Sequence, residues 1–175
     1  MWNILLCLIG ASIMIVALNT IVYDILPNQD YRYRCTPKYR AAKEVSDNAA
    51  YTHNIIKIIF GIFVIIFGVA KSVISHGGDP AGLWTAVKVS FNSSLIGTAI
   101  DLATSIYFTI KYKLLLVKDT LNTEVTKKVA MKSANTDAHL PSDIQVFKSV
   151  SRVQEQYWEI GFAALLLMIF GIVIY

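Results

Sequence analysis

Four long apolar blocks, separated by segments that hold nearly all the charge, restrict what this chain can fold into. The first block has no charged side chain from Met1 to Tyr23, and Asp24 follows it. The second is uncharged from Ile58 to Ala70, between Lys57 and Lys71, and Ile55, Ile56, Val73 and Ile74 extend it. The third runs from Val89 to Ile110, 22 residues between Lys88 and Lys111. The fourth is Ile160 to Tyr175. An α-helix rises ~1.5 Å per residue, so ~20 apolar residues cross a ~30 Å hydrocarbon layer. With 55% hydrophobic residues and a mean hydropathy of +0.52, the 175-residue chain is too apolar for a soluble domain of its size. The expected fold is an all-α membrane protein of one domain over residues 1–175. Its four transmembrane helices are expected at about 2–26, 55–75, 85–110 and 157–175.

A cleaved signal peptide is the rival reading of the first block. The run is long, and no Lys or Arg precedes it, so a retained helix is expected. In the second block, Gly61 and Gly68 are seven apart and share a helix face, where small residues allow close helix approach. His76-Gly77-Gly78-Asp79-Pro80 then reads as a turn, with Asp79 as N-cap and Pro80 opening the next helix. Trp84 stands where an interfacial anchor would. Blocks two and three therefore form an antiparallel hairpin. No Gly or Pro occurs from Thr98 to Leu140, so the third helix is expected to project beyond the bilayer. After Pro141, Ser142 and Gln145 form a capping-box pattern that opens a helix running into block four.

Lys and Arg fall unevenly between the connections. Residues 27–54 hold Arg32, Arg34, Lys38, Arg40 and Lys43, and residues 111–156 hold Lys111, Lys113, Lys118, Lys127, Lys128, Lys132, Lys148 and Arg152. Four spans put both basic loops on one side, and the positive-inside rule makes that side cytoplasmic or its equivalent, with both termini opposite.

Little in the sequence carries chemistry. His53, His76 and His139 are assigned to three different connections, and Cys7 and Cys35 have no near partner. Neither a metal site nor a cofactor is expected, and no phosphate loop, dinucleotide fingerprint or nucleophile elbow occurs. Asn92-Ser93-Ser94 matches a glycosylation sequon by chance, inside a span. Tyr31-Arg32-Tyr33-Arg34 interleaves aromatic and basic groups. Beside a membrane, such a run anchors rings at the interface and pairs guanidinium groups with lipid phosphates or acidic partners. Asp24 and Asp30 dilute any field for nucleic acid, which is not expected as a partner.

Asp101 is the exception. It lies near the middle of block three, and Asp at a helix centre costs roughly 2.5 to 3.5 kcal/mol to insert. On a helical wheel, Ser90, Ser94, Gly97, Thr98, Asp101, Thr104 and Ser105 share one face, small and hydroxylated, suited to burial against protein. Asp101, Thr98, Ser94, Ser105, Gly61 and Gly68 are thus the candidate packing residues, with Lys57, Lys71 or neighbouring hydroxyls as the expected partners of Asp101. One acid and three scattered histidines do not make an enzyme site, so no enzyme is expected. The expected role is structural: a membrane subunit that ties a bilayer to other protein subunits, as in a minor membrane component of a membrane-containing virion or an accessory subunit of an organellar complex. Homo-oligomers fit this reading. A small oligomeric ion or proton channel using Asp101 is the alternative.

Overall fold

The computed structural model describes residues 2–26, 37–112 and 142–175. Among them there are four long helices and no strand: α1 (Trp2–Asn19, continued by a π-helical turn over Thr20–Ile25), α2 (Pro37–Ser75), α3 (Ala81–Tyr112) and α4 (Ser142–Ile174). Each contains a stretch long and apolar enough to cross a membrane: Trp2–Ile25, Ser46–Ser75, Ala81–Ile110 and Glu155–Ile174. The Tyr31–Arg34 run, His139 and the proposed projection of the third helix past residue 112 lie outside the described residues.

The second helix corrects the sequence reading. Residues 37–54, for which the charge pattern predicts a basic loop, are the first half of α2. Pro37 occupies the first helical position, where its missing N–H is no loss. From Lys38 to Phe60 neither Gly nor Pro interrupts the helix, and Ala41, Ala42, Ala49 and Ala50 favour it. Apolar periodicity begins only near Ile55, so the hydropathy block understates the helix.

The helices alternate in direction. Asn3 Nδ2 donates to Ser75 Oγ (3.1 Å) at one end of α1 and α2, while Ile21 and Ile25 pack with Ala50 at the other. The turn from α2 to α3 is a Schellman motif: Gly78 N–H bonds Val73 O (3.0 Å) and Gly77 N–H bonds Ile74 O (3.1 Å). Gly77 has φ +75°, a left-handed conformation that glycine adopts without penalty. Asp79 Oδ1 then caps α3 by accepting from Ala81 N–H (3.0 Å). Antiparallel α4 returns along α3, with Thr109 against Tyr157 (2.9 Å) and Asn92 against Tyr175 (3.4 Å). Helix α2 packs on all three others, and α1 rests chiefly on α2.

Glycine sets the α1–α2 distance. A Cβ on Gly10 would lie 2.7 Å from Gly61 O, and one on Gly61 would lie 2.8 Å from Gly10 O and 2.6 Å from Met14 Cγ. Backbone meets backbone here, so no side-chain rotation relieves a substitution. Gly68 faces the same helix, against Asn3, Leu6 and Cys7. We expect Gly10→Val or Gly61→Val to lower stability by about 1–3 kcal/mol, the range for overpacking. Denaturation in mild detergent measures it, and an unchanged midpoint would mean that α1 does not pack at this point.

The interior divides along its length. The half nearer the α2–α3 turn is apolar, built on Phe60, Phe63, Val64, Phe67, Phe91 and Leu167 with Phe170 and Trp84 against them. Phe63 is its centre, meeting Phe91 (5.6 Å) and Phe170 (5.2 Å) edge to face. Trp84 packs on Phe67 within this cluster, with the Lys71 ammonium over its ring (5.8 Å). The other half buries polar side chains: Ser46, His53, Asn54, Asp101, Ser105 and Gln156.

Candidate functional site

The buried polar half is organised around His53. It sits on α2, two residues before the apolar block begins, and α2 carries it inward because Phe60 and Phe63, on turns further along the helix, face the core as well. Its Nδ1 lies 2.5 Å from Asp101 Oδ2 of α3, and its Nε2 lies 2.8 Å from Glu159 Oε2 of α4. Lys57, one turn along α2, pairs with the same Glu159 oxygen. Three helices are thereby joined through one imidazole.

The chemistry is that of a charge-neutral clasp. A ring nitrogen that faces a carboxylate oxygen needs a hydrogen between them. With both nitrogens so placed, the arrangement holds one proton more than a neutral imidazole between two carboxylates. Adding the Lys57 ammonium brings the four groups to zero net charge. Paired and hydrogen-bonded charges are the form in which a low-dielectric interior tolerates ions. The network is graded: Asp101 and His53 side chains are 3% and 6% exposed, Glu159 51%. The two carboxylates occupy opposite ring nitrogens, which makes them partners of the imidazole and not of a common ion.

The height of the network along the bundle matters as much as its bonds. Asp101 is mid-block on α3, about 30 Å from Ala81 at 1.5 Å per residue. His53 is about 33 Å from Ser75, and Glu159 about 22 Å from Ile174. Next to Asp101 therefore stand the charged edges of the α2 and α4 apolar blocks, Lys57 and Glu159. The carboxylate that looks central in its own segment is level with the charged residues that bound its neighbours' uncharged blocks, inside the stretches Ser46–Ser75 and Glu155–Ile174. It lies on the side of the bundle from which the two basic connections leave.

The other candidate residues are placed as follows. Ser94 and Ser105 are fully buried, and Thr98 is half-buried. Ser94 Oγ donates to Ser90 O (2.9 Å) and Thr98 Oγ1 to Ser94 O (2.8 Å), so neither hydroxyl reaches another helix. A Cβ on Gly97 would lie 2.8 Å from Ile56 Cδ1, so the small face admits α2. Lys57 reaches Glu159 and not Asp101, and Lys71 lies over the Phe67 and Trp84 rings at the far end. Gly61 and Gly68 are used against α1, away from Asp101. Three participants went unassigned in the sequence: His53, Glu159 and Gly10. The i, i+4 spacing of His53 and Lys57 was the one available signal, and it shows only once residues 37–54 are drawn as helix.

No protein-family profile, no curated protein and no solved structure matches this chain.

Proposed function

We propose that this protein is a non-enzymatic, multi-pass membrane subunit with a scaffolding role, holding a bilayer to a larger protein assembly. The observation that supports it is the His53 network, which ties α2, α3 and α4 together at the level where the basic connections leave the apolar blocks. A clasp there fixes the spacing of the segments that would meet a partner. Helix α4 begins at Ser142, well before its apolar stretch at Glu155, and α2 begins at Pro37, before its stretch at Ser46. Both helices thus start before their apolar stretches, and the sequence puts Lys38, Arg40 and Lys43 in the added length of α2 and Lys148 and Arg152 in that of α4. Basic residues next to a membrane suit acidic protein partners and anionic headgroups. A shell fastened to an inner bilayer and an accessory position in an organellar complex both need such a part.

The aromatic packing around Phe63 bears on the channel alternative. A path through a single bundle would have to cross rings that meet edge to face at 5.2 and 5.6 Å. The deciding experiment compares wild type and Asp101→Asn in two assays: ion and proton flux in reconstituted vesicles, and co-purification of partner subunits in mild detergent. Scaffolding requires flux-free vesicles and a loss of assembly in the variant. Flux in wild type that the variant abolishes would replace this reading with conduction.

Sidedness is tested separately. On a background lacking the native thiols, Lys38→Cys and Lys128→Cys are expected to react with an impermeant maleimide from the same side. Labelling from opposite sides would reduce the number of spans to three.

A further inference from the structure

We infer that the Lys57–Glu159 pair is the centre of an interface between two copies of this chain, side by side in the membrane. The pair is bonded but not enclosed: the Lys57 side chain is 28% exposed and that of Glu159 51%. His53 and Asp101, at the other end of the same network, are 6% and 3% exposed. The bundle therefore seals the inner end of the network and leaves its outer end open. Helix α1 rests chiefly on α2 and does not cover the Glu159 edge of α4.

Depth decides what the opening meets. Lys71 bounds the α2 block on the turn side. The rise from Lys57 to Lys71 is about 21 Å, short of a ~30 Å hydrocarbon layer, whereas Ala50 to Lys71 is about 32 Å. Ala50 packs with Ile21 and Ile25, so Asp24, the first charge of α1, stands near its level. Glu155, exposed and one turn before Glu159, stands near it on α4, by the same offset that brings Glu159 to His53. On α3 no charge follows Asp101 until Lys111, about 15 Å further along. The neighbouring helices thus agree on a boundary near Ala50, and the Lys57–Glu159 pair lies about 6 to 10 Å inside it. Charged side chains at such depth face protein, because acyl chains offer them no hydrogen bond.

Charge complementarity selects the occupant. The opening presents one ammonium and one carboxylate. A surface of one sign would match one of them and repel the other. A second copy related by a two-fold axis matches both, because each contact in such an interface occurs twice with the roles exchanged. Lys57 then faces the partner's Glu159, and Glu159 faces the partner's Lys57. The four charges alternate in sign and sum to zero. Phe162, three residues past Glu159 and 63% exposed, adds apolar contact beside the pair.

The test is the oligomeric state of the full-length chain, purified without other subunits and reconstituted at low protein-to-lipid ratio. Single-molecule photobleaching should show two steps in wild type, and Lys57→Met should raise the dissociation constant about tenfold or more. That variant keeps an apolar stem at position 57 and leaves Glu159 on His53 Nε2 (2.8 Å), so its helix content, read by circular dichroism, should not change. On a background lacking the native thiols, Phe162→Cys should cross-link two copies, and Ile96→Cys, at a residue 64% exposed on α3, should not. A monomeric wild type overturns the assignment. So does a dimer that Lys57→Met leaves unchanged, or one that Ile96→Cys links and Phe162→Cys does not. The interface rests on the reading that the helices cross a bilayer, and retention of the same sample in alkali-washed vesicles tests that reading by itself.

Discussion

Asp101→Leu is expected to make α3 insert more readily and the folded protein unfold more easily. The two effects have opposite signs and separate causes. Insertion of an isolated segment reads the transfer of one side chain, and exchanging Asp for Leu near the helix centre favours the membrane by roughly 3 kcal/mol. The folded bundle reads the loss of a partner. His53 Nδ1 keeps its buried position and loses the oxygen at 2.5 Å. Removing one member of a buried pair costs about 3–5 kcal/mol in soluble proteins. Here His53 Nε2 keeps Glu159 (2.8 Å), so we expect the lower end, about 3 kcal/mol. An insertion assay on the α3 segment and a denaturation curve of the whole protein measure the two terms. A variant that both inserts better and resists unfolding better would mean that Asp101 faces lipid. The double variant His53→Leu/Asp101→Leu should recover part of the loss, with a coupling of about 0.5–3 kcal/mol, since replacing both members of a buried pair by apolar groups is often close to neutral.

The difference between what the sequence revealed and what it concealed is one of register. Length and hydropathy are properties of single segments, and they indicate four membrane-length helices and the α2–α3 hairpin, with Asp79 and Gly77 in their turn roles. The small face of α3 is also legible, because Ser94, Gly97, Asp101 and Ser105 recur at helical spacing. The partner of Asp101 is not. It depends on how far α2 and α4 slide along α3, and no intrahelical pattern encodes that. Hydropathy places His53 in a connection because residues 37–54 contain no long apolar run, and that polarity hides the helix. Gly61 and Gly68 could be placed on a common face, but that the face meets Gly10 of α1 requires the packed structure.

The division of the interior into an aromatic half and a polar half assigns different work to each. The polar half is specific: few groups can replace His53 between two carboxylates. The aromatic half supplies contact. In lipid there is little hydrophobic gain from bringing apolar helices together, because the acyl chains are as apolar as the side chains, so packing must carry association. Interlocked rings do this well, and the fully buried residue among them is Phe63.

Phe63→Ala is therefore expected to cost about 3 kcal/mol, near the low end of the range for Phe-to-Ala core substitutions. In a soluble protein part of that range is the lost transfer of the ring from water, a term that largely disappears when the unfolded helices remain in a bilayer. What remains is the cavity, and here it is large. Phe60, Phe67, Phe91 and Phe170 all have ring centroids within 6.2 Å of Phe63, on three helices, and cannot all close on the space together. The neighbouring Ile62 provides the control. It is 40% exposed on the outer face of α2, where lipid replaces lost methyl groups, and Ile62→Ala should change stability by less than about 1 kcal/mol. Both are measured by denaturation in the same detergent. If the two substitutions cost the same, the Phe63 cluster is not the contact that holds α2, α3 and α4 together, and the polar clasp at His53 must hold them by itself.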